Sequence, residues 1–130
     1  MGKKELVYVC SPLFAATIEE IEENMKKAGY YAALITKQFG CRAIAPHSFL
    51  PQYLDDNIPQ EREVALAFGL SVLKITRAVV ICGNRISNGM KAEIEKAKEL
   101  GIPVYRLWEN ETGVVVVKDK EEIMTCDADL

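Results

Sequence analysis

The chain has 130 residues, 49% hydrophobic and 27% charged, with 16 basic against 19 acidic side chains and a net charge of −3. This composition fits a globular domain with a real core and lacks the basic excess needed to track a nucleic-acid backbone. No apolar run approaches the roughly 18 residues of a membrane span, and Leu6–Cys10 is too short for a signal peptide, so one cytoplasmic domain over residues 1–130 is expected.

Leu6–Cys10 is a short run of β-formers stopped by Ser11-Pro12, which predicts a buried first strand. Thr17-Ile18-Glu19-Glu20 has the spacing of a capping box. Ile18, Ile21, Met25, Ala28, Ala32 and Ile35 then form one apolar stripe of a helix that ends at Gly40. Arg42–Ala45 reads as a second strand ended by Pro46. The segment His47–Ile58 reads as a long loop, and loops of that length in a small domain often carry function. Pro59 suits the first turn of a second helix, with Val64, Ala65, Phe68, Val72 and Leu73 expected on its buried face.

Ala78–Cys82 is the third strand, and Gly83–Asn88 is a loop. A helix from about Asn88 to Leu100 follows, with Met90, Ile94, Ala97 and Leu100 inward and Gly101 capping it. Val104–Leu107 and Val114–Val117 are predicted as fourth and fifth strands about the turn Glu109–Gly113, with a short helix near Lys120–Met124 and a fraying end at Asp127–Leu130. Alternating strands and helices predict an α/β fold: three layers, flavodoxin- or Rossmann-like, around a five-stranded, mainly parallel sheet. Such sheets bind ligands beyond the carboxyl ends of their strands. That singles out Cys10–Phe14, Pro46–Asp56 and Gly83–Glu93.

The third segment carries the clearest chemistry. Ser87-Asn88-Gly89-Met90 opens a helix whose free amides attract anions. Gly89 allows close approach to the backbone. Glu93 sits about one turn in, where the helix dipole favours its ionised form and suits it to be a nucleophile. A plain helix cap followed by a solvated glutamate is the alternative. His47, the sole histidine, is either an acid–base or phosphate-contacting group or a loop residue bonded to backbone. Phe49 and Tyr53 either stack on a base or anchor the loop. Cys10, Cys41, Cys82 and Cys126 form no CxxC pair, so buried reduced thiols are expected, with neither a metal nor a cofactor.

Val7-Tyr8-Val9-Cys10-Ser11-Pro12, the strand Val79–Gly83 and Gly89-x-x-x-Glu93-x-x-x-Ala97 resemble the nucleoside 2-deoxyribosyltransferases and their nucleotide N-glycosidase relatives. Ala45-Pro46-His47, Pro51-Gln52-Tyr53-Leu54-Asp55-Asp56, Glu61-Arg62-Glu63 and Ile86-Ser87-x-Gly89-Met90-x-x-Glu93-Ile94 are similar to an uncharacterised, often phage-associated branch of that superfamily, over roughly residues 5–107.

The resemblance implies an enzyme of N-glycosidic bonds that acts on a nucleoside or nucleotide. Glu93 would attack the anomeric carbon, and Tyr8 would orient it. Ser87 would contact a phosphate, and Ser11, His47, Asp55, Asp56, Gly89 and Met90 complete the expected substrate site. A homodimer or larger homo-oligomer is also implied. Two positions depart from the pattern. Arg77 stands where the transferases carry an acid at the start of strand three, so Asp55, Asp56 or His47 would have to replace it. Leu13-Phe14-Ala15-Ala16 is more apolar than the glycosidases' phosphate loop. The competing expectation is a non-catalytic nucleotide-binding or sensing module of the same fold.

Overall fold

The computed structural model describes residues 4–119. Five strands form one sheet in the order β2-β1-β3-β4-β5: β1 (Leu6–Cys10), β2 (Arg42–Ile44), β3 (Ala78–Ile81), β4 (Val104–Asn110) and β5 (Gly113–Lys118). The first four are parallel, and β5 runs antiparallel to β4. Three helices connect the parallel strands: α1 (Ile18–Phe39), α2 (Pro59–Ile75) and α3 (Asn88–Glu99).

Period-two alternation divides the core in two. Val7, Val9, Ala78, Val80 and Cys82 face α1, where they pack with Ala28, Tyr31 and Ile35. Tyr8, Cys10, Val79 and Ile81 face the other way, onto Leu73 of α2 and Met90, Ile94 and Ala97 of α3. Every residue of β3 is buried, as a central parallel strand covered on both sides requires. The fold class expected from the sequence is therefore the one observed.

Several boundaries and faces differ from expectation. The long loop contains two short 3₁₀ turns, Pro46–Ser48 and Leu50–Gln52. The fourth strand continues to Asn110 because a tight turn at Glu111–Thr112 lets β5 pair along its whole length. Asn110 Oδ1 fixes that turn by accepting from the Thr112 amide at 2.9 Å and the Thr112 hydroxyl at 2.8 Å. Leu100 is exposed as the C-cap of α3 rather than inward. Ile18 is also exposed, because the first turns of α1 overhang the sheet before the helix reaches the core at Ala28.

The largest difference is in α2, where Val64 and Phe68 lie on the surface. The side that meets the body is instead Glu61, Ala65, Gly69, Val72 and Leu73, of which only Leu73 is fully buried. Cys10, Cys41 and Cys82 are buried free thiols. Cys126, the expected helix near Lys120–Met124 and the end at Asp127–Leu130 lie outside the described residues. No helix among the described residues is long and apolar enough to cross a membrane.

The ends of β1 and β3 are brought together by a contact that only glycine permits. Gly83 has φ +99°, and a Cβ there would stand 2.9 Å from Pro12 Cδ. Gly83→Ala is expected to destabilise the fold by about 1–3 kcal/mol through the left-handed backbone conformation and this clash. The check is urea denaturation, in which the midpoint should fall with the slope unchanged.

Candidate active site

The site begins with the cap of α3. Ser87 Oγ accepts the Met90 amide at 3.2 Å, while the Ser87 amide points back to Met90 Sδ at 3.4 Å. The cap orders the first turn of α3 and leaves the hydroxyl proton of Ser87 free to donate elsewhere. Gly89 is exposed, with nothing within 4 Å of a Cβ built on it. Met90 is fully buried in the α2–α3 side of the core, so its side chain is not presented to a ligand. Its carbonyl accepts the Cys10 thiol at 4.0 Å.

One turn further along α3, Glu93 turns toward the sheet beside Ile94. The residue as a whole is partly exposed, but its Oε2 is sealed from solvent and has no hydrogen-bond partner. Burial pushes the Glu93 carboxyl above its ordinary range. The His47 charge and a hydrogen-bonding contact from the Tyr8 hydroxyl oppose that rise. The Tyr8 hydroxyl acts on the titration of Glu93 and is acted on by it, while Oε2 has no hydrogen-bond partner. The expectation that the helix dipole keeps this carboxyl readily ionised is therefore corrected, since desolvation outweighs it.

Tyr8 comes from the middle of β1 and is almost fully buried. Its phenol is driven well above its ordinary range, first by burial and then by the neighbouring Glu93 charge. It stays a neutral donor. The hydroxyl fits because α2 passes it at Gly69, where a Cβ would stand 3.4 Å away. The Cys10 thiol, beneath the pair, is likewise held protonated by burial and by Glu93.

His47 lies in the first 3₁₀ turn, and its Nδ1 is 3.0 Å from the Ser11 carbonyl oxygen. A carbonyl can only accept, so Nδ1 carries a proton and Nε2 is the nitrogen left for exchange. The bonding to backbone and the influence on Glu93 thus coexist in one ring. Ser11 is buried, and its Oγ, like Glu93 Oε2, has no partner. Buried polar atoms without a partner are uncommon in folded proteins, and here one comes from the end of β1 and one from α3.

Asp55 and Asp56 are not among the groups that act on Glu93. The Asp55 amide donates to Glu61 Oε1 at 3.0 Å, and Asp55 Oδ1 accepts the Asn57 amide at 2.9 Å. Both aspartates line a separate groove of about 950 Å³ between the overhanging start of α1 and the β2–α2 connection. Neither Tyr8 nor Glu93 lines it, though its lining includes Leu13 and Ser48, next in the chain to Pro12 and His47.

Arg77 is exposed at the entry to β3, its amide bonded to the Leu6 carbonyl at 2.8 Å, and it is not among the charges acting on Glu93. Phe49 meets Phe68 edge-on at 5.9 Å and anchors the loop to α2, while Tyr53 is exposed. Arg85 was not singled out from the sequence. Its guanidinium donates to the Phe14 carbonyl at 2.9 Å and joins the β1–α1 and β3–α3 loops beside the start of α3. The available signal was its place, a cation two residues before a helix cap. Among the described residues no cluster of three His, Cys, Asp or Glu side chains could hold a metal.

A carboxyl whose pKa is raised on folding binds its proton more tightly in the native state. The stability this contributes is present at low pH and lost as pH rises through the folded value. Glu93→Gln is therefore expected to melt above the wild type at neutral pH. The gap should close near the ordinary glutamate value of 4.5 and below, where the native carboxyl is already protonated. Calorimetry across pH checks this, and equal melting temperatures at neutral pH would contradict it.

Among the solved structures that share the fold are two with a TM-score of 0.60. One is a 2-deoxyribosyltransferase from the psychrotolerant bacterium Bacillus psychrosaccharolyticus, 17% identical, with 78% of this chain aligned to 70% of that one. The other is a conserved protein from Enterococcus faecalis V583, 20% identical, with 83% of this chain aligned to 65% of that one. Identities this low carry the fold and not an activity. No curated protein matches the chain. Residues 5–107 match a family described as a domain of unknown function, DUF7768, and the chain belongs to that family.

Proposed function

We propose that this protein cleaves the N-glycosidic bond of a nucleoside or nucleotide, with Glu93 as nucleophile. The observation that carries the proposal is the Glu93 carboxyl, half-buried as a residue, with one oxygen lacking any protein partner and with its titration acted on by a neutral phenol donor and an imidazole. A carboxylate so desolvated is reactive once ionised, and a sugar C1′ offers it the bond that the protein does not.

Ionised Glu93 attacks C1′ as the bond to the base nitrogen breaks, and the electron pair leaves with the base. His47 is the acid that supplies that nitrogen with a proton through Nε2. It replaces the acid missing at Arg77, and Asp55 and Asp56 are left to the neighbouring groove. Water, or the ring nitrogen of a second base, then attacks C1′ and gives its proton to the now neutral Nε2 of His47 as the bond from C1′ to Glu93 breaks, with net retention at the anomeric carbon. Tyr8 favours the charged nucleophile by donating to it. A 5′-phosphate would meet the free amides of α3, the Ser87 hydroxyl and Arg85. Homo-oligomerisation belongs to this reading as part of the family resemblance.

The test is base release by the purified chain from a panel of ribo- and deoxyribonucleosides and their 5′-monophosphates, followed by chromatography with and without an acceptor base. Glu93→Ala should lower release by more than about 10³-fold while the fold persists. Release that is unchanged in the variant removes Glu93 from the chemistry. A rise in melting temperature with a nucleotide, without base release, would instead mark a binding or sensing module.

Ser87→Ala should weaken 5′-monophosphates by about tenfold, the scale of one charge-assisted hydrogen bond, and nucleosides much less. Titration calorimetry with matched pairs separates this from simple fraying of the cap, which would weaken both alike.

A further inference from the structure

The body of the protein covers one side of helix α2, and Phe49 touches one flank at Phe68. Its 17 residues span about 26 Å, and from Val64 to Leu73 there is no charged side chain. Outside its narrow inward stripe, Val64, Phe68 and Ile75 are exposed along one flank, Ile75 by 68%, and Leu66 and Leu70 along the other, Leu66 by 63%. A helix that is apolar on nearly every side is ordinarily buried on nearly every side.

Between the two flanks, the ridge pointing directly away from the body is small in the middle and charged at its ends. Ala67 and Ser71 occupy the centre, Glu63 stands toward the N-terminal end and Lys74 toward the C-terminal end, all four exposed.

We infer that this face is an interface between two copies of the chain, with their α2 helices packed antiparallel about a two-fold axis. That arrangement sets Ala67 of one copy against Ser71 of the other, so the helices can approach closely. Each apolar flank then meets its own counterpart, as an isologous contact requires. Glu63 meets Lys74 of the other copy at both ends, whereas a parallel pairing would set Glu63 against Glu63 and Lys74 against Lys74. The charge order along the ridge therefore selects both the partner and the orientation. The family resemblance implied an oligomer without a surface; this assigns one, and it does not depend on the chemistry proposed for Glu93.

The test is sedimentation velocity of the full chain across a dilution series up to about 100 μM, since self-association follows concentration. The wild type should sediment at twice the chain mass. Ala67→Arg places two charged side chains at the axis and should raise the dimer dissociation constant more than about 100-fold. Far-UV circular dichroism should be unchanged, because position 67 is exposed in the single copy. Glu63→Lys should weaken the dimer by about tenfold, and combining it with Lys74→Glu should restore it. A wild-type monomer at the highest concentration, or an Ala67→Arg variant that remains dimeric, overturns the interface. Failure of the double reversal to restore association overturns the antiparallel orientation.

Discussion

A carboxyl group held against the apolar side of a parallel sheet is the constraint around which this protein is arranged. Burial works against the charge on Glu93, and only two groups counter it: the Tyr8 hydroxyl from the central strand and the His47 ring from the β2–α2 connection. Each is fixed by something else. Tyr8 is immobilised by the core on both sides of it, and His47 by its bond to the Ser11 carbonyl. The geometry of three separate chain segments thus converges on one acid–base equilibrium, and the folding cost of an unsatisfied oxygen is concentrated at that point.

This distribution of strain and support is what an enzyme of this architecture would need. The sheet is over-determined where it positions the pair, with β1 and β3 buried along nearly their whole length. The loops at the carboxyl ends of the strands are cross-tied by Arg85 to the Phe14 carbonyl, Asn24 to the Leu13 carbonyl, His47 to the Ser11 carbonyl and the Asp55 amide to Glu61. In the proposed reaction, the buried strands would hold the carboxyl while the loops above them meet the substrate.

The sequence revealed most where its signals were local. Apolar runs bounded by Pro12 and Gly83 announce the buried strands β1 and β3, and Thr17, Ser87 and Gly40 act as caps as their residue types suggest. The orientation of α2 was not legible. Val-Ala-Leu-Ala-Phe-Gly-Leu-Ser-Val-Leu offers apolar residues at almost every angle, so its periodicity has no phase, and Val64 and Phe68 appeared as core residues when they are surface ones. The link between His47 and Ser11 spans 36 positions and leaves no local trace. Arg77 drew attention by its place along the chain, whereas its side chain is exposed at the entry to β3 and is not among the charges acting on Glu93.

Gly69 carries a consequence of its own. The hydroxyl of Tyr8 occupies the clearance that this glycine leaves, and a methyl group there would already be in van der Waals contact with it. Any bulkier residue has to lift the helix or rotate the phenol aside. Either movement withdraws the donor that eases ionisation of the glutamate, and the carboxyl then keeps its proton to higher pH. Side-chain volume at one helical position is thereby converted into acid strength on the neighbouring helix, so the size limit at position 69 is a chemical limit as much as a steric one.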